Sequence, residues 1–89
     1  VQEYRDDTGI APGHYVVVGV FSIKANAESL KNEIERSFSP AFIVFNKKNS
    51  YYYVYLVSSD EFEPAKNKLK TIRSSGLFDF SNAWILNVK

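Results

Sequence analysis

The chain has 89 residues, with 11 basic and 10 acidic side chains, no cysteine and 16% aromatic residues. This length suits one compact domain with a modest core, and the lack of cysteine excludes disulfides, thiolate metal sites and a cysteine nucleophile. A net charge of +1 disfavours phosphate-neutralising nucleic-acid binders, and no apolar run reaches the ~20 residues of a transmembrane helix.

Residues 1–13 show no sustained hydrophobic period and close on Pro12-Gly13, which is typical of a linker or tether end. The chain also lacks an initiator methionine. We therefore expect a domain of a longer protein, whose other parts would carry any membrane attachment. The run from 14 to 21 is dense in β-branched and aromatic residues and predicts the first strand. Gly19 inside it indicates a bulge or a close backbone approach.

An amphipathic helix is predicted next, because apolar residues recur every three or four positions at Ala27, Leu30, Ile34 and Phe38. Ser39-Pro40 should end it, since proline disfavours helical geometry in the preceding residue. The pattern then predicts a second strand over 41–45, a polar loop over 46–50 and a third strand over 51–57.

A second helix is predicted from about Glu61, with the apolar stripe Phe62, Ala65, Leu69 and Ile72 and a C-cap at Ser75-Gly76. Residues 83–88 form the closing strand. With Asn87 outward, we expect Trp84, Leu86 and Val88 to point into the core.

An internal repeat supports this order of elements. The shift that lays Tyr15-Val16 on Tyr53-Val54 also lays Ala27 on Ala65 and Ile34 on Ile72. Two similar β-α-β halves predict an α+β, ferredoxin-like βαββαβ fold with a four-stranded antiparallel sheet. Both helices should cover one face, and the first and third strands should be central.

Residues alternate between the two faces of such a sheet. The helix side is expected to receive Val16, Val18, Val20, Val54 and Leu56, and the open side Tyr15, Val17, Gly19, Phe21, Tyr51, Tyr53, Tyr55 and Val57. The three tyrosines of the third strand would then form a row, either as cross-strand packing or as a ligand platform. Tyr has an apolar ring and a polar tip, which suit sugars, bases and peptides alike.

The sequence shows no catalytic or metal-binding arrangement. His14 is the only imidazole and stands where the linker meets a strand, while Asp6-Asp7 and the acids at 60, 61 and 63 are typical of solvated tail and helix-start positions. No Gly-rich phosphate loop and no metal-ligand spacing occurs. We expect a protein without enzymatic activity, cofactor or metal.

Three segments in this order resemble the SPOR domain family: Tyr15–Phe21, a helix through Asn26-Ala27-Glu28, and Tyr52–Val57 followed by a helix through Ala65. The resemblance covers residues 14–89. It implies a peptidoglycan-binding domain, joined by a flexible linker to a bacterial envelope protein, that binds septal glycan strands stripped of their stem peptides. It also implies a periplasmic location, a link to cell division and other envelope proteins as further partners.

The resemblance assigns the glycan contacts to Val17, Tyr51 and Tyr53, with Phe21 at the strand end. Tyr55 joins these candidates because it completes the tyrosine row of the third strand. Members often have Gln in place of Val17 and Arg in place of Tyr53, and usually Gly in place of Val57. If sugars bind here, ring stacking should carry more of the affinity than side-chain hydrogen bonds.

Two alternatives fit the same topology. An RNA recognition motif has aromatics at the positions of Tyr51 and Tyr53, but it also has one where Val17 stands and a basic-Gly start where Asn49-Ser50 stands. The low net charge and the repeat favour SPOR over this reading. A protein-interaction module on the same fold is the other alternative.

Overall fold

The computed structural model describes residues 2–4, 9–74, 80 and 82–89. The predictions for Asp6-Asp7 and for the helix end at Ser75-Gly76 lie outside these residues. The described elements are β1 (Gln2–Tyr4), β2 (Gly13–Phe21), α1 (Lys24–Ser37), β3 (Phe42–Asn46), β4 (Tyr51–Ser59), α2 (Phe62–Arg73) and β5 (Trp84–Val88). In this described part, neither helix is long and apolar enough to cross a membrane.

The strands form one sheet in the order β1-β5-β2-β4-β3. All neighbours are antiparallel except β1, which runs parallel to β5. Strands β2 to β5 are the predicted four-stranded sheet with β2 and β4 in the middle, so the α+β ferredoxin-like fold is confirmed. Strand β1 adds to this sheet at its β5 edge.

Both helices pack on the same sheet face through their predicted apolar positions, except Phe62, which was expected in the apolar stripe of α2 but is exposed. Ile34 and Ile72 are buried there. Ala27 and Ala65 are completely buried, and their small side chains allow the helices to pack close to the strands. At the end of α2, Nε and Nη2 of Arg73 donate to the Ala83 carbonyl at 2.9 and 2.6 Å. These bonds fix the helix to the residue that precedes β5.

The opposite sheet face carries a second hydrophobic cluster. Its fully covered members are Ile10, Tyr15, Val17, Tyr53, Leu86 and Val88, and Val44, Tyr55 and Trp84 pack around them. The face predicted to be open is therefore largely buried at its centre. Apolar residues are needed on both faces of β2 and β5, which is why those strands read as continuous apolar runs.

Two bulges change the predicted facing of β2 and β4. The pairing steps from Val16↔Val57 to Val17↔Tyr55, so Leu56 is an extra residue on β4. It then steps to Gly19↔Val54, so Val18 is an extra residue on β2. Beyond the bulges Phe21 and Val57 pack on the helix side, against the prediction. Val20 was wrongly placed toward the helices: it pairs with Tyr53 and is exposed.

The predicted facing of β5 was also wrong. Val16 pairs with Ile85 and His14 with Asn87, so Ile85 and Asn87 share the helix side. Asn87 is buried, and its Oδ1 accepts a hydrogen bond from Nδ1 of His14 at 2.5 Å. This bond removes the cost of burying the amide oxygen. Trp84, Leu86 and Val88 lie in the cluster on the other face.

Candidate functional site

The exposed aromatic side chains of the second sheet face lie along the β3–β4 hairpin. Phe42 is 46% exposed, Tyr51 is 43% exposed and Tyr55 is half-buried. Strand pairing places Phe42 beside Tyr55 and Tyr51 beside Asn46, on the same face. We call Phe42, Tyr51 and Tyr55 the aromatic platform; its two tyrosines are four residues apart on one strand, or about 13 Å.

Ring contacts hold one end of the platform in place. Tyr55 stacks on Phe42 with ring centroids 5.4 Å apart and an interplanar angle of 29°. On its other side Tyr55 meets the Tyr15 ring edge to face at 4.9 Å and 83°. Tyr55 is thus fixed between an exposed and a buried ring, and such aromatic pairs add to the stability that burial supplies.

Burial affects the hydroxyl groups of Tyr55, on the platform, and of Tyr15, beside it. Burial raises the pKa of Tyr55 above its ordinary value. Burial, followed by the nearby Tyr55 and Asp60, raises the pKa of Tyr15 in the same way. Both hydroxyls are protonated at neutral pH, and that of Tyr15 donates to the Ala11 carbonyl at 2.5 Å.

Tyr53, the middle tyrosine of the predicted row, is a core residue with 2% exposure. Its hydroxyl accepts hydrogen bonds from Nδ2 of Asn49 at 2.7 Å and of Asn46 at 3.3 Å. Its ring meets Trp84 edge on at 6.0 Å. A tyrosine with its ring in a cluster and its hydroxyl bonded to two amides supports the fold and has almost no surface left for a ligand.

The predicted site residues therefore differ in exposure and in the sheet face on which they lie. Tyr51 and Tyr55 have accessible surface on the expected face, while Val17 lies on that face but is fully buried. Phe21 packs on the helix side. The sequence prediction missed Phe42, which could have been found by pairing the second and third strands across the predicted loop.

A segment before β2 covers part of this face. Ile10 is 5% exposed and belongs to the same hydrophobic cluster as Val17 and Tyr53, and Ala11 accepts the Tyr15 hydrogen bond. Gly9 has φ +79°, and the side chain of Lys47 occupies the space where a Cβ would stand. Residues 9–12 thus form a strap over the middle of the sheet face, beside the platform.

The chemistry of the platform is that of ring faces and hydroxyl groups. Among the residues that the structure describes, no group of three or more His, Cys, Asp or Glu side chains could hold a metal ion. Exposed rings flanked by neutral hydroxyls suit a ligand with apolar faces and polar edges.

The fold and the platform define a small α+β domain of the ferredoxin-like class, with helices on one face and an aromatic surface on the other. The family model described as "SPOR domain" matches residues 11–81, and the chain belongs to this family. The expected SPOR resemblance is thereby confirmed.

One solved structure supports the fold directly. The chain is similar to the solution structure of the peptidoglycan binding domain of the B. subtilis cell wall lytic enzyme CwlC. The two share 22% sequence identity with a TM-score of 0.59, over 85% of this chain and 89% of that chain. No curated protein matches the sequence.

Proposed function

We propose that this domain is a non-catalytic module that binds peptidoglycan through glycan strands stripped of their stem peptides. The observation that carries the proposal is an exposed aromatic platform in a SPOR domain whose structural neighbour is a peptidoglycan-binding domain. The ligand lies along the β3–β4 hairpin. Its partners are glycan strands, with other envelope proteins as further partners, and it uses no cofactor.

Ring stacking supplies most of the affinity in this proposal. Sugar rings present C–H faces to Phe42, Tyr51 and Tyr55, and hydroxyl groups at their edges meet the tyrosine hydroxyls. Val17 and Tyr53, where family members often have Gln and Arg, are buried and act by supporting the platform from below. The same burial disfavours RNA binding, because base stacking on the third strand would need an exposed Tyr53 ring.

The proposal has a cellular setting. The domain acts in the bacterial envelope, on the periplasmic side, and serves cell division by recognising septal wall. Residues 1–13 join the domain, residues 14–89, to the rest of a longer protein, and two parts of this segment, β1 (Gln2–Tyr4) and the strap, pack onto the sheet of the domain. The two β-α-β halves are an internal repeat, as the equal burial of Ala27 and Ala65 and of Ile34 and Ile72 suggests.

Retention on purified cell-wall sacculi tests the proposal. We expect strong retention on sacculi whose stem peptides have been removed, weaker retention on intact sacculi and none after glycan digestion. A Phe42→Ala/Tyr51→Ala double variant should lose about five- to 150-fold in affinity, since two stacking rings at roughly 0.5–1.5 kcal/mol each contribute about 1–3 kcal/mol together.

The matched control is Phe45→Ala, because Phe45 is an equally exposed aromatic residue of the same hairpin, 41% accessible, on the helix side of the sheet. It should bind stripped sacculi as the parent domain does. Equal losses in both variants, or no retention on stripped sacculi, would refute the proposal. Titration with single-stranded RNA at low and high salt should show no binding at either.

A further inference from the structure

The charged residues of the β3–β4 hairpin are all basic. Residues 37–59 include Lys47 and Lys48 and no acidic residue. Both lysines directly follow Asn46, which ends β3 and pairs with Tyr51 of the aromatic platform. One end of the platform is therefore next to two lysines.

Lys47 extends back over the platform face. A Cβ on Gly9 would collide with Cε of Lys47 and lie 3.3 Å from its Cδ and Cγ, so the stem of this lysine packs against the strap. Ile10, the next strap residue, belongs to the hydrophobic cluster on the same face. Lys47 as a whole is exposed. A stem held in this way leaves the ammonium group in solvent and lowers the entropy cost when that group binds a ligand.

The described acidic residues lie away from this end of the platform. Those of α1 are on the helix side, and one of them, Glu35, pairs with Lys31 at 2.8 Å. Asp60 follows the far end of β4, about 30 Å from Tyr51 along the strand. The others are Glu3 on β1, at the opposite edge of the sheet, and Glu61 and Glu63 at the start of α2. Among the residues that the structure describes, none places a carboxylate within ion-pair distance of Lys47.

The ligand of the proposed function carries charge of the opposite sign. In peptidoglycan, an amide bond joins each stem peptide to the lactyl carboxyl group of an N-acetylmuramic acid sugar. Hydrolysis of this bond consumes water, releases the amino end of the peptide and leaves a carboxylate on the sugar. A stripped strand is therefore anionic at the atom where an intact strand has a neutral amide.

We propose that Lys47 binds the lactyl carboxylate of a stripped glycan strand and thereby favours stripped over intact glycan. The inference rests on the proposed function, because it assigns a further contact on the same face. A sugar stacked on Tyr51 presents its carboxylate to the Lys47 ammonium group, which donates a charge-assisted hydrogen bond to it. The rings recognise the sugar faces of any strand, and the lysine recognises the group that peptide removal creates.

Stripped sacculi that differ only at this carboxylate test the proposal. One sample keeps the free carboxylates, and the other is coupled to methylamine with a carbodiimide, which converts them to neutral N-methylamides without adding a peptide. The parent domain should bind the free-carboxylate sacculi about two- to fivefold more tightly, as expected for an exposed charge pair. This preference should decrease as the salt concentration rises.

The variant Lys47→Met removes the charge and keeps an unbranched stem against Gly9. It should bind both samples equally, with the affinity that the parent has for amidated sacculi, whereas Lys47→Arg should keep the preference. The matched control is Lys66→Met, which removes an exposed lysine of α2 and should also keep the preference.

The outcomes separate this inference from the proposed function. Equal binding of the two samples by the parent, or an undiminished preference in Lys47→Met, would overturn the role of Lys47 and leave glycan binding by the platform standing. A preference that appears only in an Asp6→Asn/Asp7→Asn variant would also overturn it, because these acids would then neutralise Lys47 in the parent. No retention of the parent on either sample would refute the proposed function itself, and the role of Lys47 with it.

Discussion

At the scale of single residues, the role of Tyr53 depends on two asparagines that no periodic pattern reveals. Asn46 bonds the Tyr53 hydroxyl through Nδ2 and accepts the Lys48 N–H at Oδ1, 2.9 Å away. Asn49 also donates to the Tyr53 hydroxyl through Nδ2, and its Oδ1 accepts the Tyr51 N–H, 3.0 Å away. Each amide therefore ties the β3–β4 turn to the buried tyrosine. The alternation of β4 predicted the face on which Tyr53 lies, but its burial depends on these partners.

We expect Tyr53→Ala to lower the free energy of unfolding by about 3–5 kcal/mol, at least as much as the roughly 2–5 kcal/mol expected for Ile34→Ala in the helix-side core. Tyr53→Phe should cost about 1–2 kcal/mol, because it leaves the two amides without their shared acceptor. Urea unfolding measures both, with Tyr51→Phe as an exposed control that should be nearly neutral. A Tyr53→Ala cost no larger than that of Tyr51→Phe would mean that the ring is exposed.

The raised pKa of Tyr15 makes the free energy of unfolding depend on pH in the alkaline range. Its pKa is raised above the ordinary value of 10.0, first by burial and then by Tyr55 and Asp60. A group that holds its proton more tightly when folded stabilises the fold fully below its unfolded pKa, and this contribution falls as pH rises from about 10 through the folded pKa. Tyr15→Phe should therefore weaken the loss of stability that begins near pH 10, the ordinary pKa of tyrosine, and continues as pH rises through the folded pKa; urea unfolding at increasing pH measures it. An unchanged pH profile would contradict this assignment.

At the scale of secondary-structure elements, the helices were predicted well and the facing of the strands was not. Ala27, Ile34, Ala65 and Ile72 have only one apolar surface to pack against, so a period of 3.6 identifies their buried side. Strands β2 and β5 have an apolar cluster on each face, and period-two alternation then carries no information about which side is which.

The bulges are a second reason why the strand facing was hard to predict. Gly19 did indicate one: the pairing shifts between Val17 and Gly19, and a Cβ on Gly19 would lie 2.8 Å from Cδ2 of Leu30 on α1. The compensating bulge at Leu56 has no glycine or proline to mark it. The bulge at Val18 shifts the facing of the β2 residues that follow it, so Phe21, which was expected on the platform side, packs toward the helices.

At the scale of the whole molecule, one sheet separates two cores, and the face opposite the helices is both a packing surface and a binding surface. The buried middle, with Val17 and Tyr53, supports the exposed margin, with Phe42 and Tyr51. The sequence indicated that this face carries tyrosines and that the fold belongs with SPOR domains. Which rings stay accessible follows from contacts between separate segments, such as the strap, β3 and the two asparagines that bond Tyr53, and these contacts have no local signature.

The strap itself gives the prediction that tests this division of the face. Ile10→Ala should lower the free energy of unfolding by about 2–4 kcal/mol, because the side chain is 5% exposed and is part of the cluster that contains Val17 and Tyr53. The matched control is Ile23→Ala, since Ile23 is 57% exposed and should be nearly neutral. Retention of Ile10→Ala on stripped sacculi should equal that of the parent domain below its unfolding transition, because the platform rings are held by β3 and β4. If Ile10→Ala costs no more than Ile23→Ala in urea, residues 9–12 belong to the tether and not to the folded face. If instead stability falls and binding falls with it, the glycan contacts the strap as well as the platform.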